Sequence, residues 1–370
     1  MSPLSPMSPL SPRTVGVEEE LMLIDPETCR LTEVSQRAVR ANEAAAEVEQ
    51  ELFLHQIETS TAPCATADDL IRGIREGRRA VGRAAAAVSA RAVAMATPVL
   101  HADDEAFTPK SRYRTVGAEF GELARGSLVC GMHMHVDISD DEEGVRVIDG
   151  IRPWLPLLVA LSANSPYWHG RDTGHASWRS QVWGRWPTAG AAEPFGDPAT
   201  YRAVSDRLIG WGAGIDTGML YFDVRLSEKY PTIEIRVADV CTDIEDAVLV
   251  ALLARALVET HATSPDPVTW RSDLLRASGW RASRFGLSAD LVHPLHQTLV
   301  PAREVFEATV AHVRPWLEAS DDLDRVTDSF ERLMARGNGS TRQRRVLEKS
   351  GDLRAVVEDL ARRTEESWGD

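Results

Sequence analysis

Three features of this 370-residue sequence predict an α+β fold, an antiparallel sheet with helices packed against one side. Several separated segments alternate apolar and polar residues at period two, as half-buried strands do. The elements do not follow the βαβα order of a doubly wound parallel sheet. From Ala262 to Asp370 the patterning is mainly helical.

Met1 to Arg13 repeats Ser-Pro with Leu or Met and lacks both a basic start and a continuous apolar core. It reads as a disordered tail rather than a secretory signal. No repeat or linker divides the remainder of the chain, so residues 14–370 are expected to form a single catalytic domain. Thr14 to Asp25 reads as a strand, with Val15, Val17, Leu21 and Leu23 at period two. Glu51 to Ser60 reads as a second strand. Asp68 to about Ala94 is rich in Ala, Arg and Leu and reads as a helix, capped by Thr66 with Asp69 three residues on. A short strand over Met95–Leu100 and a helix over Lys110–Ala124 come next.

Leu128 to Ile138 is the clearest strand: Cys130, Met132, Met134, Val136 and Ile138 share one face, and Gly131, His133, His135 and Asp137 the other. A helix is expected over Glu143–Leu161. Asn164 to Pro198, crowded with Gly, Pro, Trp and Arg, has no clean period and reads as a long ordered loop. Its tryptophans (Trp168, Trp178, Trp183, Trp186) are expected in the core. Met219–Leu226 and Thr232–Ala238 read as a hairpin around Lys229, Tyr230 and Pro231. Thr242 and Glu245 then have the spacing of a capping box opening a helix to about Ala262.

The formal charge of −15 gives no general attraction for nucleic acid or an anionic membrane. No apolar run approaches the ~20 residues that span a bilayer. Cys29, Cys64, Cys130 and Cys241 form no C-x-x-C pair, which fits a reducing cytoplasm. Small-molecule partners are therefore expected. For oligomeric state there is only the base rate, which favours a small homo-oligomer such as a homodimer.

The polar strand faces carry a chemical signal. Glu18 and Glu20 share one face of the first strand, His133, His135 and Asp137 one face of another, and Glu234 and Arg236 one face of a third. For any one strand a solvated face is the simpler account. Solvated faces mix Lys, Thr and Ser with acids, whereas these positions are almost purely metal-ligand types. Carboxylates on one face also repel unless a cation lies between them. Carboxylate-rich ligation suits Mg²⁺ or Mn²⁺, with phosphate oxygens and water completing the shell. The His-x-His pair leaves a metal-dependent hydrolase as the alternative.

These segments resemble the glutamate–cysteine ligases, in particular the bacterial type 2 or carboxylate–amine ligase branch. The resemblance rests on Gly16-Val17-Glu18-Glu19-Glu20, Glu58 in Gln-Ile-Glu-Thr, and Gly131-Met-His-Met-His-Val136. It continues through Asn164-Ser-Pro-Tyr-Trp-His-Gly-Arg-Asp172, Ser177-Trp-Arg179, Thr232-Ile-Glu-Ile-Arg236 and Gly337-Asn-Gly-Ser-Thr-Arg-Gln-Arg344. It implies a curved antiparallel sheet forming a funnel like that of glutamine synthetase, with two or three Mg²⁺ or Mn²⁺ ions on the concave face. It also implies ATP-driven activation of a carboxylate, as an acyl phosphate, for attack by an amine. A sensor without turnover on the same scaffold is a further alternative.

By matching position the resemblance implies Glu18, Glu20, Glu58, His133 and Glu234 as metal ligands. Glu51 is a weaker candidate, because an ideal strand would turn Glu51 and Glu58 to opposite faces unless a bulge intervened. Arg236 is expected to meet a phosphate with two oxygens at once. Arg179 and Arg171 are expected to hold a substrate carboxylate or the γ-phosphate. Gly337 to Arg344 is expected as a glycine-rich segment closing over the site, with Arg342 or Arg344 adding charge.

Overall fold

The computed structural model describes residues 12–44, 46–101, 106–263 and 270–369. The predicted tail lies outside these residues except for its end, where Arg13 is tied down by ion pairs of 2.9 Å to both Glu143 and Glu259.

The main sheet takes β1 (Val15–Ile24), β2 (Val48–Gln50), β3 (Gln56–Ser60), β4 (Arg91–Val93) and β5 (Gly131–Asp137). After a separate two-stranded hairpin, β6 (Tyr167–Trp168) with β7 (Arg171–Asp172), it is completed by β8 (Val224–Leu226) and β9 (Thr232–Asp239). Its order is β2-β3-β1-β5-β9-β8, with β4 pairing the end of β1 on the edge that β5 occupies earlier in the strand, and every pairing is antiparallel. The predicted α+β class is thus what the chain adopts.

Alternation along the strands sorts the two faces. Val15, Val17, Met132, Met134, Val136, Ile233 and Ile235 pack into a core shared with the helices Ala67–Ala86, Asp141–Ile151, Leu155–Ser162 and Ile244–Thr263. The last of these helices is buried along nearly its whole length, which explains why Arg255 alone interrupts its apolar run from Ala247 to Val258. Glu19 of β1 points into this layer and receives Arg78 Nε and Nη2 at 2.7 and 2.6 Å. Arg78 also donates to the carbonyls of Cys241 (2.6 Å) and Thr242 (2.8 Å), clamping the exit of β9 to β1.

Several boundaries differ from those read in the sequence. Thr66 caps its helix as expected, accepting from Asp69 N, but the helix ends at Ala86. Ser89 there adopts a left-handed turn (φ 62°), and Arg91–Val93, not Met95–Leu100, forms the strand. Pro153 breaks the expected Glu143–Leu161 helix into Asp141–Ile151, a 3-10 turn and Leu155–Ser162. Gly121 (φ 55°) divides the predicted Lys110–Ala124 helix into Ser111–Phe120 and Glu122–Arg125. The expected loop over Asn164–Pro198 contains the β6–β7 hairpin and the helix Trp178–Trp183. Thr242 makes no capping box, because the helix begins at Ile244 and Thr242 lies one residue before its cap position, its hydroxyl donating to Ala94 O at 3.1 Å.

Candidate active site

Strand register assembles the acids. In β1 and β3 Glu20 stands opposite Glu58, and in β1 and β5 Glu18 stands opposite His133. In β5 and β9 His135 stands opposite Glu234. Paired residues of an antiparallel ladder point to the same face. A bulge in β9 sets Arg236 and Val237 together against His133, since the register passes from Met134↔Ile235 to Met132↔Ala238. Glu51 joins by another route. Only the second half of the predicted Glu51–Ser60 strand is extended, as β3; its first half is the chain reversal from β2, and Glu51 sits in that reversal, free of strand parity.

Two groups of ligand atoms result, one from Glu18, His133 and Glu234, the other from Glu20, Glu51 and Glu58, each with its atoms within 4.8 Å of one another. An octahedral ion with bonds of about 2.1 Å sets its ligands about 3 Å apart in cis and about 4.2 Å in trans. Both groups therefore have the span and the hard oxygen-rich chemistry for Mg²⁺ or Mn²⁺. Asp137 lines the same cavity, but its carboxylate takes the Thr14 hydroxyl.

The electrostatics agree with this fit. Burial and the adjacent Glu51 push Glu20 up to about 7, against the pull of Arg179 and the Gly131 N–H (2.5 Å). Burial, with Glu51, Glu18 and Glu20 as neighbours, raises Glu58 well above the ordinary carboxylate value. A divalent cation would relieve both. Burial alone would raise Glu18, but hydrogen bonds from His133 and His135 hold it well below its usual value. Burial and then Arg236 bring His133 down to about 3, so its imidazole is neutral, the form that ligates metals.

The acids line a cavity of about 1380 Å³ whose wall also carries Arg225, Arg236, Lys229, Arg112, Tyr113 and Tyr221. Trp183 and Trp186, expected in the core, also line it, although Trp186 is at the same time buried in a small apolar cluster. Arg236 is buried and lies 5.8 Å over the Tyr221 ring and 5.9 Å over the Trp183 ring. Arg225 was missed in the sequence. It opposes Glu234 across the β8–β9 hairpin and grips its carboxylate through Nε (2.7 Å) and Nη2 (3.1 Å). Pairing the hairpin outward from Lys229 and Tyr230 would have found it.

Four arginines stand elsewhere than expected. Arg179 is buried over Gly131 and behind the cavity wall, donating to Arg236 O at 3.2 Å. Its backbone N–H donates to Ser165 Oγ, and Asp239 fixes that segment by accepting from Ser165, Ser177 and the Asn164 N–H. Arg171 is exposed on β7 and does not line the cavity. Gly337 to Arg344, expected to close over the site, does not line the cavity: Asn338 caps the helix Gly339–Ser350, and Gly339 packs against Asn164 with no room for a Cβ. The charges of that helix are already matched, Arg342 by Asp243 and Asp246, Arg344 by Asp172 at 2.7 Å.

The description of glutamate-cysteine ligase family 2 matches residues 14–359. A Nocardioides protein called "Putative glutamate--cysteine ligase 2-1" is 48% identical over 373 residues, covering 97% of each chain. A Streptomyces coelicolor protein with the corresponding name is 44% identical over 363 residues, 95% of this chain and 99% of its own. Among solved structures, the glutamate–cysteine ligase of Francisella tularensis in complex with AMP superposes with a TM-score of 0.69 at 11% identity. That match covers 98% of this chain and 90% of the other, and at such low identity it speaks for the fold. With its acid-lined antiparallel sheet and a match running from β1 into the last helix, this chain belongs to glutamate–cysteine ligase family 2.

Proposed function

We propose that the chain is an ATP-dependent carboxylate–amine ligase that requires Mg²⁺ or Mn²⁺ and activates an amino-acid carboxylate as its acyl phosphate. The carrying observation is the presence of two ligand groups side by side on one sheet face, with Arg225 and Arg236 in the same cavity wall. Phosphorylating a carboxylate brings two anions together, and such a site offsets that repulsion. Glu18, His133 and Glu234 would hold one ion, and Glu20, Glu51 and Glu58 a second. Ions bound there would neutralise phosphate oxygens and orient the transfer.

In the reaction, a carboxylate oxygen attacks the γ-phosphorus and ADP leaves. The amine nitrogen then attacks the acyl carbon, inorganic phosphate leaves, and the nitrogen gives up its proton. Arg236 is suited to the phosphoryl oxygens, and no nucleophilic side chain is required. The names of the relatives favour glutamate as carboxylate and cysteine as amine. The AMP held by the Francisella enzyme favours an adenine nucleotide.

The test is incubation with ATP, Mg²⁺ and glutamate plus a panel of amines, following phosphate release and new products by mass spectrometry. One amide formed per phosphate released is the expected result. Failure to bind ATP would overturn the reading, and cleavage of an amide without ATP would favour the metal-dependent hydrolase.

A further inference from the structure

Glu234 is claimed twice. Its carboxylate offers about four lone-pair positions. Arg225 occupies two, through Nε at 2.7 Å and Nη2 at 3.1 Å, and Arg236 Nη1 occupies a third. The same carboxylate belongs to the ligand group with Glu18 and His133. The oxygen facing the other two ligands is Oε1, 4.0 Å from His133 Nδ1, and Arg225 Nη2 and Arg236 Nη1 already use both of its lone pairs, so a cation coordinated there competes with at least one guanidinium contact.

The arginines cannot simply move into water. Arg236 is buried, and its Nε already lacks a hydrogen-bond partner. Arg225 is held in place because its Nη1 donates at 3.2 to 3.3 Å to the carbonyls of Thr217, Gly218 and Leu220. A guanidinium that loses its carboxylate in such surroundings needs another oxyanion. A phosphoryl or carboxylate group offers the same paired oxygens as Glu234.

We propose that Arg225 and Arg236 form an oxyanion site for which Glu234 is the internal occupant, so that cation and oxyanion bind cooperatively by exchange of Glu234 between arginines and metal. The proposal rests on the assignment of Glu18, His133 and Glu234 as metal ligands. Coupling of this kind is reciprocal, with each ligand tightening the other by the same factor. It gives Arg225 a role opposite to that of a simple supporting residue: it holds Glu234 back from the cation.

The experiment is titration of the whole protein with Mn²⁺, followed by the electron paramagnetic resonance of the free ion. It is done alone, with inorganic phosphate and with L-glutamate, the anion arms separating a phosphoryl from a carboxylate occupant. Mn²⁺ affinity in the wild type is expected to rise fivefold or more with the correct anion. Arg225→Lys keeps the charge but loses the fork. It is expected to bind Mn²⁺ alone severalfold more tightly than wild type and to lose most of the anion effect. Weaker binding of Mn²⁺ alone by Arg225→Lys, or an unchanged anion effect, would overturn the proposal. Arg236→Lys supplies the same comparison if Arg225→Lys does not fold. Glu18→Gln is the control for the underlying reading: if it leaves Mn²⁺ stoichiometry and affinity unchanged, the metal assignment itself fails.

Discussion

Replacing Arg78 with Met would test what holds β1 in the register that presents Glu18 and Glu20. The Arg78 side chain is completely buried and Glu19 is 2% exposed, so the pair has no water to fall back on. Removing one partner of such a pair typically costs about 3–5 kcal/mol, because the other charge stays buried alone. The carbonyls of Cys241 and Thr242 lose their donor as well, at about 1 kcal/mol each. Relaxation of the cavity returns part of this, so a loss of about 4 kcal/mol is expected, a large share of a typical total of about 5–15 kcal/mol. Urea unfolding followed by circular dichroism reads it as a fall in midpoint of about 1 M, for a slope near 3 kcal/mol per M or more. Glu19→Gln combined with Arg78→Met removes the stranded charge and should recover half the loss or more. A cost below about 1 kcal/mol for the single variant, or a double variant as unstable as the two single losses summed, would refute this account.

Other predictions concern the concave face. Glu18→Gln and Glu234→Gln should each abolish amine-dependent phosphate release, and Glu234→Gln, which leaves the buried Arg225 and Arg236 without their carboxylate, should also cost about 3 kcal/mol or more in denaturant unfolding. Glu20 has a folded value of about 7 against an ordinary 4.5, so between these the native state keeps a proton that the unfolded chain has lost. Its destabilisation is therefore absent below pH 4.5, grows as pH rises, and is complete above pH 7 at roughly 3 kcal/mol. Glu20→Gln measured in chelator should be the more stable protein at pH 8 by about that amount and equal to wild type at pH 4. A pH-independent difference would count against it. Gly131→Ala would drive a methyl into the buried Arg179 guanidinium. A stability loss of about 2 kcal/mol and a fall in turnover of tenfold or more are expected, checked by denaturation and by the phosphate assay.

What the sequence could reveal depended on range. The alternation in β1, β5 and β9 is local, so the shared faces of Glu18 with Glu20, His133 with His135, and Glu234 with Arg236 were readable from neighbouring residues. Glu51 was harder, because β2 is only three residues long and its reversal before β3 leaves no periodic trace. The arginines failed for another reason. Nothing near Arg342 or Arg344 announces that Asp243, Asp246 and Asp172, far away in the chain, will neutralise them. The Ala-rich run to Ala94 misled because helix propensity continues past the point where Ser89 turns the chain to pair alongside β1.

The bulge in β9 has a consequence for which kinds of sequence change this fold can tolerate. Glu234 and Asp239 are an odd number of residues apart, yet they pair with His135 and Gly131, which share a face. One extra residue resets the strand's phase midway, so that a cavity ligand and the anchor of Ser165 and Ser177 look the same way. At this point the length of the chain matters more than the identity of the side chain. Many replacements of Val237 would preserve the phase, whereas deleting it would turn one half of the strand inside out relative to the other.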